Sequence, residues 1–161
     1  MRKYTAEQKA TIFVVLITSF AATFSASALN LSIPAMGKEF NVSASMIGWV
    51  VTCYMLTTAS LAVPFGRLGD ITQKKRVFVP GVMIFSLASL AAAFSMNFVL
   101  LLVLRAIAGV GGAMIFSTNM AILISAFPPS ERGKLLGLSV ASTYTGLSAG
   151  PVFGGILNHY L

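Results

Sequence analysis

The sequence predicts an all-α membrane protein, and three observations carry that prediction. Only 9% of the 161 residues are charged and 57% are hydrophobic, whereas a soluble domain is about a quarter charged. One soluble core of this length cannot hide so much apolar surface. Five runs hold no Asp, Glu, Lys or Arg: 10–37, 40–66, 77–104, 106–130 and 135–161. Each reaches the roughly 20 residues that a helix needs to cross the hydrocarbon layer. The runs are continuous rather than alternating, which excludes the short amphipathic strands of a membrane barrel. Helices then remain as the structure that satisfies every backbone group in lipid.

The elements follow in order. The first span covers about 11–36. Its prelude, "MRKYTAEQK", has the basic start of a signal peptide. The apolar run behind it is far longer than the roughly 7–15 residues of a signal core, so it reads as a retained helix. The second span covers about 46–65, with Trp49 near its start, where an outer aromatic belt would lie. "GRLGDITQKKR" (66–76) reads as a loop. The third span covers about 77–94, Ser95–Asn97 is a tight turn, the fourth covers about 98–127 and the fifth about 135–157.

Charge sets the expected orientation. Nine of the eleven Lys and Arg residues precede the first span or lie between spans two and three or four and five. The positive-inside rule then places the N-terminus and both basic loops in the cytoplasm. The net charge of +7 is spent on helix ends, so the sequence implies no nucleic-acid partner. Cys53 is the sole cysteine, which excludes an intrachain disulfide and a thiolate metal cluster. No P-loop, metal-ligand cluster or nucleophile–base arrangement occurs. The expectation is therefore a non-enzyme with no cofactor and no metal site.

Several residues invite a functional reading beside a structural one. Gly66 lets a neighbouring helix approach. Asp70 can accept hydrogen bonds from a helix N-terminus or pair with Lys74, Lys75 or Arg76, making a latch between helices. The same stretch also serves as a plain topology anchor. Arg105 lies inside the fourth span, where a charge costs several kcal/mol and usually faces a cavity or a partner. Snorkelling to the outer interface is the alternative. Gly109 and Ala113 share its helix face. Gly146, Gly150 and Gly154 recur every fourth residue, with Pro151 and Gly155 beside them, giving a smooth face for close helix packing. Asn30, Tyr54 and Asn119 are candidates for lining a substrate cavity or for interhelical hydrogen bonds, as are Thr143 and Tyr144. His159 reads as an interfacial residue. All four acidic residues, Glu7, Glu39, Asp70 and Glu131, sit at span ends or in loops.

These stretches resemble the major facilitator superfamily. "GRLGDITQKKR" (Gly66–Arg76) is similar to its loop 2–3 signature; Gly66, Asp70, Lys74 and Lys75 match, while Ile71 and Gln73 depart. "LVLRAIAGVGGA" (Leu102–Ala113) resembles its fourth-helix motif, with Arg105 as the arginine. "GLSAGPVFGG" (Gly146–Gly155) resembles the fifth-helix motif of the drug:proton antiporter branch. "FPPSERGK" (Phe127–Lys134) looks like loop 4–5, and "ALNLSIPAMGKEF" with "IGWVVTCYMLTTA" resembles the span 1–2 region of antibiotic-efflux antiporters. Many fourteen-helix members carry an Asp before that Asn-containing stretch; here Ser25, Ala26 and Ser27 occupy the region.

The resemblance implies a role for Gly66 and Asp70 in an inward–outward switch, and for Arg105 in proton coupling. It implies the N-terminal part of a plasma-membrane secondary transporter that exports amphipathic drug-like compounds by proton antiport. The chain would be a partial six-helix bundle lacking its sixth helix and C-terminal half. Its partners would be lipid, a small amphipathic substrate, protons and that missing half. A titrating carboxylate would lie beyond Leu161. Two alternatives stand beside this reading: a truncated remnant or small membrane protein acting through helix–helix contact, and a metabolite importer.

Overall fold

The computed structural model describes residues 4–160, with side chains from Tyr4 to Gly155. It consists of six helices: α1 (Ala6–Glu39), α2 (Ala44–Ile47), α3 (Trp49–Ile71), α4 (Lys74–Ala93), α5 (Phe98–Ser125) and α6 (Pro129–Tyr160). No strand occurs among the described residues. Gly48, between α2 and α3, keeps right-handed helical angles, so 44–71 acts as one 28-residue rod. Four rods among the described residues are long and apolar enough to cross a membrane: 6–39, 44–71, 74–93 and 98–125. α6 has ample length at 32 residues, but its Gly, Ser and Thr content dilutes its apolar character.

Local chemistry explains the ends. Thr5 caps α1 in a reciprocal capping box with Gln8, satisfying two orphan donors of the first turn. The other end of α1 closes in a Schellman turn. Val42 N–H bonds the Gly37 carbonyl at 3.1 Å and Asn41 N–H bonds that of Lys38 at 3.3 Å. Asn41 takes the required left-handed conformation, φ 51°, a region that Asn tolerates better than most residues. Asn97 caps α5 through its side-chain oxygen on Leu100 N–H, 2.7 Å.

One expectation is corrected here. Residues 66–76 are not a loop. Gly66 to Ile71 complete α3, Lys74 to Arg76 begin α4, and only Thr72 and Gln73 lie between. Charge marks where the hydrocarbon ends, but a helix in water still satisfies its own backbone and continues. Thr72 extends the turn, with both its N–H and its hydroxyl on the Leu68 carbonyl.

The helices sort into a pair and a trio: α1 packs chiefly on α6, and α5 packs on both α3 and α4. α1 and α6 run parallel, as do α3 and α5, while α4 runs antiparallel to α5. α5 is the most enclosed helix, and Ile115, Thr118 and Leu123 are almost wholly buried along it. Pair and trio meet where Asn119 donates to the Ser19 hydroxyl at 2.7 Å and where Gln8 donates to the Ala126 carbonyl at 3.2 Å.

Candidate functional site

Three places collect the residues singled out by the sequence: the basic end of the bundle, the α1–α6 seam, and a small cavity between pair and trio.

At the basic end, the start of α1, the α3–α4 turn and the end of α5 surround an open cavity of about 600 Å³ lined by Gln8, Gly69, Asp70, Lys74, Lys75 and Ser125, among others. Asp70 pairs with Lys74 at 3.7 Å across the two-residue turn. With Asp70 63% exposed, the pair contributes at most about 1 kcal/mol. Lys75 and Arg76 are exposed. The basic trio sits at the positive end of the α4 dipole, so helix energetics disfavour it there. Close helix approach falls at Gly69 rather than at Gly66. A Cβ on Gly66 would make ordinary contact with Ser117 Cβ at 3.7 Å, whereas one on buried Gly69 would crowd Thr118 Cγ2 at 3.1 Å. Nearby, Tyr4 packs edge-on against Phe127. Its phenol is pushed up from its ordinary value, first by desolvation and then by the neighbouring Glu131 carboxylate. Arg132 donates from Nε to the Phe127 carbonyl at 3.3 Å.

In the seam, every glycine of the 146–155 motif is seated on α1. A Cβ on Gly146 would collide with Thr23 and the Phe20 carbonyl. On Gly150 it would lie 2.6 Å from Ser27 Cβ, and on Gly154 3.2 Å from the Ala28 carbonyl. Gly155 approaches only the flexible end of Leu31. Hydroxyls cross the seam: Thr23 to the Thr143 carbonyl at 3.1 Å, Ser27 to that of Leu147 at 2.8 Å, and Ser142 to that of Leu16 at 2.8 Å. The middle bond has a particular cause. Pro151 has no N–H, so the carbonyl four residues back, on Leu147, loses its helical donor. Ser27 supplies the replacement, and Gly150 is the gap through which it reaches. The sequence signals the orphaned carbonyl through Pro151 but not the helix that answers it.

Between pair and trio lies a cavity of about 20 Å³ lined by Ser25, Tyr54, Phe85 and Arg105 within an otherwise aliphatic wall. Arg105 is 8% exposed, so it does not snorkel to the surface. Its Nε and the Tyr54 hydroxyl are buried without hydrogen-bond partners among the described residues. The expected cavity set is therefore split. Tyr54 joins Arg105. Asn119 is committed to Ser19, and Asn30 is exposed on α1. Thr143 serves the seam, Tyr144 is exposed, and the His159 side chain lies outside the described residues.

The sequence places Gly109 on a small-residue face suited to close packing, which the structure bears out, but it does not single out Gly111 and Gly112. A Cβ on Gly109 would meet the Tyr54 carbonyl at 2.8 Å, one on Gly111 the Gly81 carbonyl at 2.7 Å, and one on Gly112 the Tyr54 hydroxyl at 2.8 Å. "GVGG" thus lets α5 touch α3 and α4 at once, backbone on backbone. The cluster of glycines was the available signal.

Residues 15–161 match the family model for the Major Facilitator Superfamily. The chain belongs to that superfamily. Family membership and four apolar spanning rods together make it an integral membrane protein. It is 35% identical over 150 residues to the riboflavin transporter RibZ of Clostridioides difficile, a match covering 92% of this chain and 33% of that protein. It is 32% identical to citrate exporter 1 of Aspergillus niger, covering 92% and 29% of the two chains. It is 31% identical to the methyl viologen resistance protein SmvA of Salmonella typhimurium, covering 91% and 30%. The chain thus spans about a third of the length of these relatives.

Proposed function

We propose that this chain is the N-terminal part of a secondary active transporter that exports amphipathic drug-like compounds by proton antiport with alternating access. α6 is then its fifth span, laid parallel to α1 along the seam. The observation that carries the reading is the 146–155 motif. Its three regularly spaced glycines and its proline are all engaged by α1, and in the family that motif marks exporters. Relatives that include methyl viologen resistance and puromycin resistance proteins support the same direction.

The N-terminus faces the cytoplasm in this reading, in the plasma membrane. The basic trio at the start of α4 supports it: local helix energetics disfavour those charges, while cytoplasmic sidedness favours them. Gly69 and the Asp70–Lys74 pair lie where the end of α3 meets the start of α4, a place suited to switching. Arg105 and Tyr54 line the inner cavity. Family carriers place their central site between two repeat-built halves, so a carboxylate for proton exchange comes from the remaining half; the described helices carry acidic residues only in their first or last turns.

A metabolite cargo is the second reading, favoured by the riboflavin and citrate relatives. Inverted vesicles distinguish the two. We expect no transport from the chain alone, and proton-dependent dye export when it is joined to a C-terminal half. Dye export by the chain alone would refute the need for that half. Riboflavin or citrate movement without dye movement would replace drug export with metabolite transport.

A further inference from the structure

We propose that the first turn of α1 is a clasp. Gln8, with Tyr4 beside it, fixes the turn that joins α5 to α6 and so locks pair and trio together at the basic end. The lock itself is a matter of this chain's packing. Its use, carrying pair and trio as one body through transport, rests on the alternating-access reading above.

Two prolines make the α5–α6 turn depend on outside donors. Pro128 and Pro129 follow α5. The residue before a proline is pushed away from helical angles, so α5 has to stop before Phe127. It ends at Ser125, with Ala126 as its cap. A helix end leaves carbonyls without donors, and neither proline brings an N–H to the turn. Side chains supply donors instead. Arg132, five residues on, donates to the Phe127 carbonyl at 3.3 Å. Gln8, 118 residues away in the chain, donates to the Ala126 carbonyl at 3.2 Å.

The Gln8 amide is engaged at both ends. Its oxygen accepts from Thr5 N–H at 3.1 Å and completes the capping box. With the oxygen held there, the two N–H donors are left for a carbonyl elsewhere. One side chain thus caps the start of α1 and the end of α5. Tyr4 adds a second contact, its ring edge-on to Phe127 with centroids 5.6 Å apart. Phe127 is buried. The clasped turn is a covalent joint between the two bodies, since α5 belongs to the trio and α6 to the pair. The other joint, 40–48, lies at the far end of α1. Opening pair from trio at the basic end therefore has to pull Gln8 off Ala126 and bend this turn.

Two substitutions separate the clasp from the cap. Gln8→Glu keeps an oxygen for Thr5 N–H, because Glu serves a capping box as Gln does, but its ionised carboxylate has no donor for Ala126. Gln8→Leu loses both. Hydrogen exchange is followed at single amides of the 161-residue chain in a non-ionic detergent. In Gln8→Glu the Ala126 and Glu131 amides, bonded to the Ile122 and Pro128 carbonyls, should exchange about fivefold faster, the effect of one lost hydrogen bond. The Gln8→Glu and Lys9 amides of that variant, bonded to Thr5 in the unaltered chain, should keep their protection. Gln8→Leu should release both sets. Unchanged exchange at Ala126 and Glu131 in Gln8→Glu would overturn the clasp. Spin labels read the two bodies directly. They are placed at Lys9→Cys on α1 and Ile71→Cys on α3, both exposed positions, in a Cys53→Ser background. One narrow distance is expected with Gln8 in place and a wider spread in either variant. The same narrow distance in Gln8→Leu would overturn the lock. In the carrier joined to a C-terminal half, Gln8→Glu should slow dye export; unchanged export despite a wider spread would overturn the use of the lock in transport. No export by the unaltered joined carrier would sink the alternating-access reading instead, and the amide and distance results would still decide the clasp.

Discussion

The α1–α6 seam and the α5 packing centre are both built on glycine, yet they hold together differently. Around Gly109 and Gly111 the backbones of three helices meet directly, and among the described residues Thr58 donates the side-chain hydrogen bond between α3 and α5, to the Gly109 carbonyl. Along the seam, three hydroxyl-to-carbonyl bonds accompany the glycines, one of them on a carbonyl freed by proline. Lipid provides no hydrophobic drive between helices, so packing and hydrogen bonds supply the attraction. The trio relies on contact, which is lost steeply with separation. The seam adds hydroxyls, and one of them can bond either its own helix or the partner helix. Thr23 already lies within bonding distance of the Ser19 and Phe20 carbonyls as well as that of Thr143. The seam is packed as tightly as the trio, and what distinguishes it is the added set of hydrogen bonds.

The sharpest way to break this contrast is Gly111→Val. Its Cβ alone lies 2.7 Å from the Gly81 carbonyl, and the Gly81 and Phe85 backbone of α4 cannot yield. We expect a loss of about 3 kcal/mol, the upper end of overpacking costs, read by thermal melting of the detergent-solubilised chain. Gly150→Ala adds a single methyl and should cost less, about 1–2 kcal/mol, although Ser27 Cβ at 2.6 Å and the Ala28 backbone nitrogen at 2.8 Å leave it no free space. A cost equal to that of Gly111→Val would erase the distinction.

A smaller effect tests the proline-linked bond. Ser27→Ala should cost about 1 kcal/mol, within the range found for interhelical hydrogen bonds in membranes. In a Pro151→Ala background the new N–H satisfies Leu147, and the cost of Ser27→Ala should fall towards zero. A double-mutant cycle reports that coupling; additive costs would show that Ser27 does not serve the proline. The smallest effect belongs to Asp70→Asn. Its exposed ion pair predicts a stability change below about 0.5 kcal/mol, with the melting temperature nearly unmoved. A large fall in transport by the joined carrier, at unchanged stability, would separate a switching role from a structural one.

The bundle was legible where a one-dimensional pattern determines the answer. Charge-free runs marked the four apolar rods, and the four-residue glycine period marked the face of α6 that packs on α1. Helix ends were misplaced because charge reports the edge of the hydrocarbon, whereas a helix stops where its caps do. Gly66 was preferred over Gly69 for the same kind of reason: a motif names a position, but helix rotation decides which glycine meets α5. Asn119 and Tyr54 looked alike as polar residues in apolar runs. Only the three-dimensional arrangement shows one tied to Ser19 and the other bordering the Arg105 cavity. Partners that are distant in the chain, such as Ser27 and Leu147, leave no local trace.

The separation in chain position between α1 and α6 has a consequence for biogenesis. The bonds that join them span 120 residues. A chain made from its N-terminus delivers α1 to the membrane first and its main neighbour last. α3 and α4, linked by two residues, arrive as a hairpin and can dock on α5 as soon as that helix is complete. Until α6 emerges, the Thr23 hydroxyl has its own helix carbonyls to bond, while Ser27 waits for the Leu147 carbonyl that Pro151 leaves free. Closing the seam is therefore the last packing event among these helices, and a nascent protein halted before Leu147 leaves the ribosome lacks the carbonyl that Ser27 bonds.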